Sequence, residues 1–188
     1  SLSSQDSNAE VTRTDIVTAF NSDGFTLGAD SGNFVNVSGN NGVAWNWKAG
    51  TTGSGTSSGS GTGKAYSYSV STTSGFSVVK YTGNGTAGHT IPHHLGAAPG
   101  FVMVAQIDNN EAWQINMAGL AADKFIQMNV DEEFDQGSYN MFNSTKPSST
   151  VITLGTLAHT NTNDQNYVVY SFAAKKGYSK IGRYVGLN

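Results

Sequence analysis

The chain has no cysteine, which excludes disulfide staples, thiolate metal sites and cysteine nucleophiles together. Charge is scarce as well. Lys and Arg number 10 and Asp and Glu 13, so 12% of the 188 residues are charged, about half the share usual in a soluble domain. A net charge of −3 leaves no basic footprint for nucleic acid. No apolar run approaches the roughly 18 residues of a membrane span, so no membrane insertion is expected. The first residues, Ser1-Leu2-Ser3-Ser4-Gln5, have neither the charged start nor the apolar stretch of a signal peptide. Sustained helical periodicity is nearly absent, and no phosphate loop, Gly-x-Ser-x-Gly elbow or other catalytic or cofactor motif stands out. No catalytic residue, cofactor or metal is therefore expected, and the protein is read as a non-enzyme.

Gly, Ser, Thr and Asn fill the space, at 82 residues together, while the 20 aromatics and low net charge argue for a folded chain. Short aromatic and β-branched segments lie between turn pairs such as Asp23-Gly24, Asn41-Gly42, Asn84-Gly85 and Gln136-Gly137. Strands are expected near 15–20, 24–28, 42–48, 65–71, 75–81, 100–107, 112–117, 124–130, 138–142, 150–155, 166–174 and 178–185. Alternation is clearest over 65–70, where Tyr66, Tyr68 and Val70 share a face. Only 117–124 looks helical, for about two turns. The fold class is all-β: antiparallel β-sandwich, jelly-roll-like repeat units with negligible helix. Residues 50–63 contain only Gly, Ser and Thr and are expected to be a linker or loop that buries nothing.

The strongest signal is an internal duplication. Phe20-Asn21-Ser22 and Phe25-Thr26-Leu27-Gly28 recur as Phe142-Asn143-Ser144 and Ile152-Thr153-Leu154-Gly155. Val43-Ala44-Trp45-Asn46-Trp47 recurs as Val168-Val169-Tyr170-Ser171-Phe172, and residues 75–83 recur at 177–186. The chain is thus divided into 1–49, the C-terminal part of a first β repeat; 50–63, the linker; 64–176, a complete second repeat; and 177–188, the start of a third repeat or a terminal strand. Ending straight after a strand-like segment, it is expected to be an excerpt of something longer.

These segments, together with His94-Leu95-Gly96-Ala97-Ala98-Pro99 before Phe101-Val102-Met103-Val104, resemble a repeated domain of marine bacteriophage tail-fibre and tail-associated virion proteins, cyanophages included. The resemblance covers most of 11–49 and 75–186. It departs where a His pair precedes Leu95 in place of the family's His-Gly-Leu-Gly, and over 105–117. The resemblance implies a non-enzymatic virion structural protein of a tail fibre or appendage, used for host attachment and located extracellularly on the virion. Implied partners are other virion tail proteins, a homo-oligomer with a trimer as one form, and a host surface glycan or receptor. The alternative is a carbohydrate-binding module or bacterial surface adhesin.

Individual constellations are weaker. His89 and His93 share a face with Ile91 and need a third ligand from elsewhere to hold a metal, so a self-bonded turn is the preferred reading. Asp131, Glu132, Glu133 and Asp135 form one acidic cluster that lacks the spacing of a calcium loop and reads as a solvated turn. His159 reads as surface. Trp45 and Trp47, whose counterparts are Tyr170 and Phe172, are expected to pack in a core. Trp113 has no counterpart and stands beside polar residues. Trp113, Asp108 and Asn110 are therefore the expected glycan contact.

Overall fold

Alternation in Asn166–Phe172 places Tyr167 and Val169 on one face of a strand and Val168 and Tyr170 on the other, and packing follows that division. The computed structural model describes residues 1–128, 139–184 and 186; the acidic cluster at 131–135 and the turn pair Gln136-Gly137 lie outside the described residues. The chain forms two compact units. The first takes Ser1 and 10–47, and the second takes 2–9 and everything from Lys48 onward.

In the first unit, β1 (Val17–Phe20) and β2 (Phe25–Leu27) form an antiparallel hairpin closed at Asp23-Gly24. The second unit contains β3 (Thr51–Thr56), β4 (Ser58–Gly59), β5 (Ala65–Ser71), β6 (Phe76–Thr82), β7 (His89–Pro92) and β8 (Phe101–Gln106). It continues with β9 (Gln114–Met117), β10 (Ile126–Gln127), β11 (Val151–Leu154), the helix α1 (Ala158–Asn161) and β12 (Asn166–Phe172). A seven-stranded sheet runs β10-β9-β8-β12-β6-β5-β3, and a three-stranded sheet runs β11-β7-β4. Every pairing is antiparallel. Val79, Tyr81, Val102, Val104, Tyr167 and Val169 of the large sheet meet Ile91, Ile152 and Leu154 of the small one, with Phe125, Met141 and Phe142 filling the same core. That is an antiparallel β-sandwich, as expected. Its last strand, β12, returns between β6 and β8, so the C-terminal part of this unit closes the centre of the sheet.

Four expectations fail. Residues 50–63 are no linker: β3 pairs with β5 over six register positions, β4 pairs with β7, and Ser57 between them is buried. Gly, Ser and Thr give no period-two signal, so their strand state comes from the free edge of β5 and is invisible locally. The 117–124 segment makes turns, with Gly119 at φ 92°, and the described helix is instead the single turn at 158–161. Residues 42–48 and 139–142 are in no strand, and 178–184 contributes only to the isolated bridge between Lys175 and Ser179. Trp45 and Trp47 are exposed, not core. A strand-like sequence becomes a strand only where a ladder partner meets its backbone groups.

The duplicated segments share a glycine approach, an asparagine bond and a turn, although Phe20 lies in β1 and Phe142 in a turn. Gly28 N–H donates to Ile16 O and Gly155 N–H to Met141 O, at 2.9 and 3.0 Å. The amide of Asn36 donates to Gly28 O, and that of Asn161 to Gly155 O, both at 2.7 Å. Turns then close from Asn40 N–H to Val37 O and from Gln165 N–H to Thr162 O, through Gly39 at φ 83° and Asp164 at φ 62°. At both glycines a Cβ would collide with a backbone carbonyl, of Asp15 and of Asn140, so close chain approach accounts for glycine there.

Candidate functional site

Trp113 is 5% exposed and not on the surface. It packs with Ala105 and Val168, stacks on Tyr170 at 6.4 Å between ring centroids, and has Leu2 against the same cluster. Its polar neighbours mark the loop, while the indole turns under the outer face of β12, where apolar area is removed from water. Asp108 and Asn110 are exposed, but their oxygens hold the chain: Asp108 Oδ2 accepts from Asn166 N–H and Nδ2–H at 2.7 and 3.0 Å, and Asn110 Oδ1 accepts from Ala9 N–H at 2.8 Å. The three residues do not form a glycan platform. His159 is half-buried and pairs with Glu111 at 3.1 Å.

The expected face of His89, Ile91 and His93 is correct, and all three are buried. His93 Nδ1 accepts from Leu95 N–H and its Nε2–H donates to Ser148 O, each at 3.2 Å. Asn161 fixes the state of His89. Its Nδ2–H donates to Gly155 O and Thr86 O, so Oδ1 faces Asn84 N–H and His89 Nδ1, both at 2.9 Å. His89 Nδ1 therefore carries the proton, and Nε2 accepts from Ser57 Oγ–H at 2.6 Å. Burial lowers the His89 pKa below its ordinary 6.5, opposed by the bond to Asn161, so the ring is neutral.

Ser57, His89 and Asn161 thus stand in the order of a nucleophile, base and orienting group. Their surroundings give them a structural role. Ser57 is 5% exposed, its Oγ also accepts from Lys64 N–H at 2.8 Å, and its N–H donates to Lys64 O at 2.7 Å. As folded, the relay is a clamp fastening the 57–64 turn and β4 to β7 and α1. The tyrosine hydroxyls also hold α1: Tyr81 donates to Thr160 O and Tyr167 to Ala158 O, at 2.7 and 2.6 Å. The sequence signal for this clamp was the buried face of His89. Ser57 was hidden among 22 serines and Asn161 in a Thr/Asn-rich loop.

One accessible feature of the second unit is a hollow of about 480 Å³ beside β5, lined by Thr51, Tyr68, Val70, Ser71, Thr73 and His94 among others. His94, at φ 59°, lays its ring on Tyr68 at 3.7 Å and 18°, and Tyr66 continues the stack. Burial lowers the His94 pKa, and its Nε2 is buried without a hydrogen-bond partner among the described residues. A flat aromatic stack and several hydroxyls suit a small polar ligand with one apolar face. Among the described residues, no group of three His, Asp or Glu side chains is placed to hold a metal ion, and no helix is long and apolar enough to cross a membrane.

No curated protein and no solved structure matches this chain. A family model described as "Domain of unknown function (DUF7483)" matches residues 1–188. With the match running over its whole length, the chain belongs to the DUF7483 domain family.

Proposed function

We propose that this protein is a non-enzymatic virion structural protein, a tandem β-sandwich module of a bacteriophage tail fibre or related appendage that serves host attachment outside the cell. The observation that carries the reading is the duplication: one run of sequence, with its Asn-to-Gly carbonyl bond and its turn, is present twice on one chain. Modules in series build length and display area, which an appendage needs. The partners are other virion tail proteins and further copies of the chain. The outer edge of the large sheet, β3, supports such assembly, since its Thr-Thr-Gly-Ser-Gly-Thr carries no charge or proline to discourage pairing. Sedimentation velocity at several concentrations tests this reading. Concentration-dependent assembly is expected, and a monodisperse monomer throughout counts against it.

The hollow beside Tyr68 and His94 favours a second reading, a glycan-binding module, which also supplies the host contact. A glycan array on the intact chain, with and without EDTA, tests it. Binding that is lost in Tyr68→Ala supports the reading, and no binding in either condition removes it.

A further inference from the structure

In the second unit, the Asn161 bond and the 162–165 turn lead directly into β12, which pairs with β6 over seven register positions and with β8 over six. In the first unit, the Asn36 bond and the 37–40 turn lead into residues 43–47, which are in no strand. From Asn36 and Asn161 onward, the two runs correspond at a constant spacing of 125. Val43 and Trp45 are 79% and 76% exposed, whereas Val168 and Tyr170, at the same places in β12, pack in a cluster. Residues 43–45 also line a groove of about 520 Å³, together with Phe20, Phe25, Leu27 and Val35. An apolar surface of this kind on an otherwise hydrophilic chain marks an interaction site.

We propose that residues 43–47 are a sheet strand whose occupants on its two sides are strands of the β6 and β8 type, supplied by a further copy of this module. The chemistry of those strands follows from register. Tyr170 lies between Val78 and Met103, so Trp45 takes aliphatic neighbours. Phe172 lies between Phe76 and Phe101, with ring centroids 5.0 and 5.8 Å away, so Trp47 takes an aromatic on each side. Extended strands of this composition, adding to a backbone already aimed by its turn, are β-augmentation with a defined register. The proposal shares the duplication with the virion reading but does not need the virion; a monomeric chain in sedimentation would sink that reading and leave this one standing.

The test uses the full chain and the same chain with residues 64–122 fused ahead of Ser1. Residues 64–122 carry β5 to β9 and so supply strands of both the β6 and the β8 type. Amide hydrogen exchange over 43–47 and tryptophan emission are read at low and high concentration. The expected result is fast exchange in the chain alone and slowing by about a hundredfold in the fused chain, with emission shifted to the blue. Trp45→Asp should abolish both in the fused chain and leave exchange in β6 and β12 unchanged. Fast exchange over 43–47 in the fused chain overturns the proposal. So does protection in the dilute unfused chain, which would show that residues 43–47 need no added strands.

Discussion

Asn161 offers the sharpest test of how the second unit is held. Replacing it with alanine strands three buried groups at once, Asn84 N–H, His89 Nδ1–H and Gly155 O, while Thr86 O keeps its bond from His89 N–H. Each buried group left unsatisfied costs about 1–3 kcal/mol, and the side chain is fully buried, so bulk water does not replace it directly. A water entering the vacated space can restore some of these bonds. The expected loss is therefore at the low end of the sum, about 3 kcal/mol, a large part of the roughly 5–15 kcal/mol that holds a domain together. Asn36→Ala is the internal control. It removes the matching bond to Gly28 O at the same 2.7 Å, but on an exposed side chain, and should cost about 0.5 kcal/mol. Urea titration followed by near-ultraviolet circular dichroism, with amide exchange in β12 as the reporter of the second unit, separates the two. Asn161→Asp keeps the acceptor toward His89 but aims a second oxygen at two carbonyls, so it should be no better than alanine. If Asn161→Ala falls within 1 kcal/mol of Asn36→Ala on these measurements, the buried network is not what fastens α1 and β7, and the clamp account is wrong.

Gly155→Ala drives a Cβ into the Asn140 backbone carbonyl, which has no rotamer to escape through, and should cost about 3 kcal/mol by urea titration; Gly42→Ala, with open space around it, should stay within about 0.5 kcal/mol. Trp113→Ala should lower stability by about 3–4 kcal/mol, judged from its burial against Ala105, Val168 and Tyr170, and leave any glycan-array signal of the intact fraction unchanged. The pH dependence should differ between the two units. Burial lowers the pKa of His89 and His93 in the fold, so the unfolded chain binds their protons first; stability from these groups is present above about pH 6.5 and declines as pH falls, by up to about 1.4 kcal/mol per pH unit for each proton. Tyr81 is raised well above its ordinary 10.0 by burial, so on the alkaline side the unfolded chain ionises first and stability falls as pH rises past about 10. In the first unit, Asp15 is held low by the Ser31 hydroxyl and Asp30 by Val35 N–H, so their contribution is lost only as pH falls below about 4. Protection factors in β12, corrected for the intrinsic pH dependence of exchange, that fall at pH 5.5 while those in β2 do not would agree with this order; simultaneous loss would refute it.

Strand identity was legible wherever alternation marked a face to be buried. Tyr66, Tyr68 and Val70 located β5 to the residue, and the β-branched and aromatic runs at 101–106, 151–154 and 166–172 became β8, β11 and β12. The shared face of His89, Ile91 and His93 was equally readable from period two. Three kinds of information were not in the local pattern. Thr51–Thr56 is a strand because the edge of β5 offers it a ladder, which Gly, Ser and Thr do not announce. Trp113 is buried because the chain folds it under Tyr170 and Leu2, although four polar residues precede it. The clamp joins Ser57, His89 and Asn161 across 32 and 72 residues, and long-range polar contacts of this kind leave no spacing for a single sequence to display.

The duplicated run separates what sequence encodes locally from what it leaves to partners. The glycine approach, the asparagine bond to its carbonyl and the positive-φ turn form in both copies, one exposed and one buried, so each is specified within about a dozen residues of chain. The strand that follows forms only where β6 and β8 stand on either side. Turn and cap chemistry is therefore complete before the sheet is, and the sheet is completed by elements distant in sequence. For modules strung in series this ordering has a consequence: a turn that is already aimed lets a following strand choose its register by side-chain pairing alone, Trp45 against aliphatics and Trp47 against aromatics. A one-residue slip would turn both indoles to the opposite face. Inserting a single alanine between Asn41 and Gly42 imposes that slip. In the chain carrying residues 64–122 ahead of Ser1, the insertion should erase the protection of residues 43–47 while leaving the Asn36 bond and the β1–β2 hairpin intact. Protection that survives the insertion would mean that the backbone, and not the face, selects the pairing.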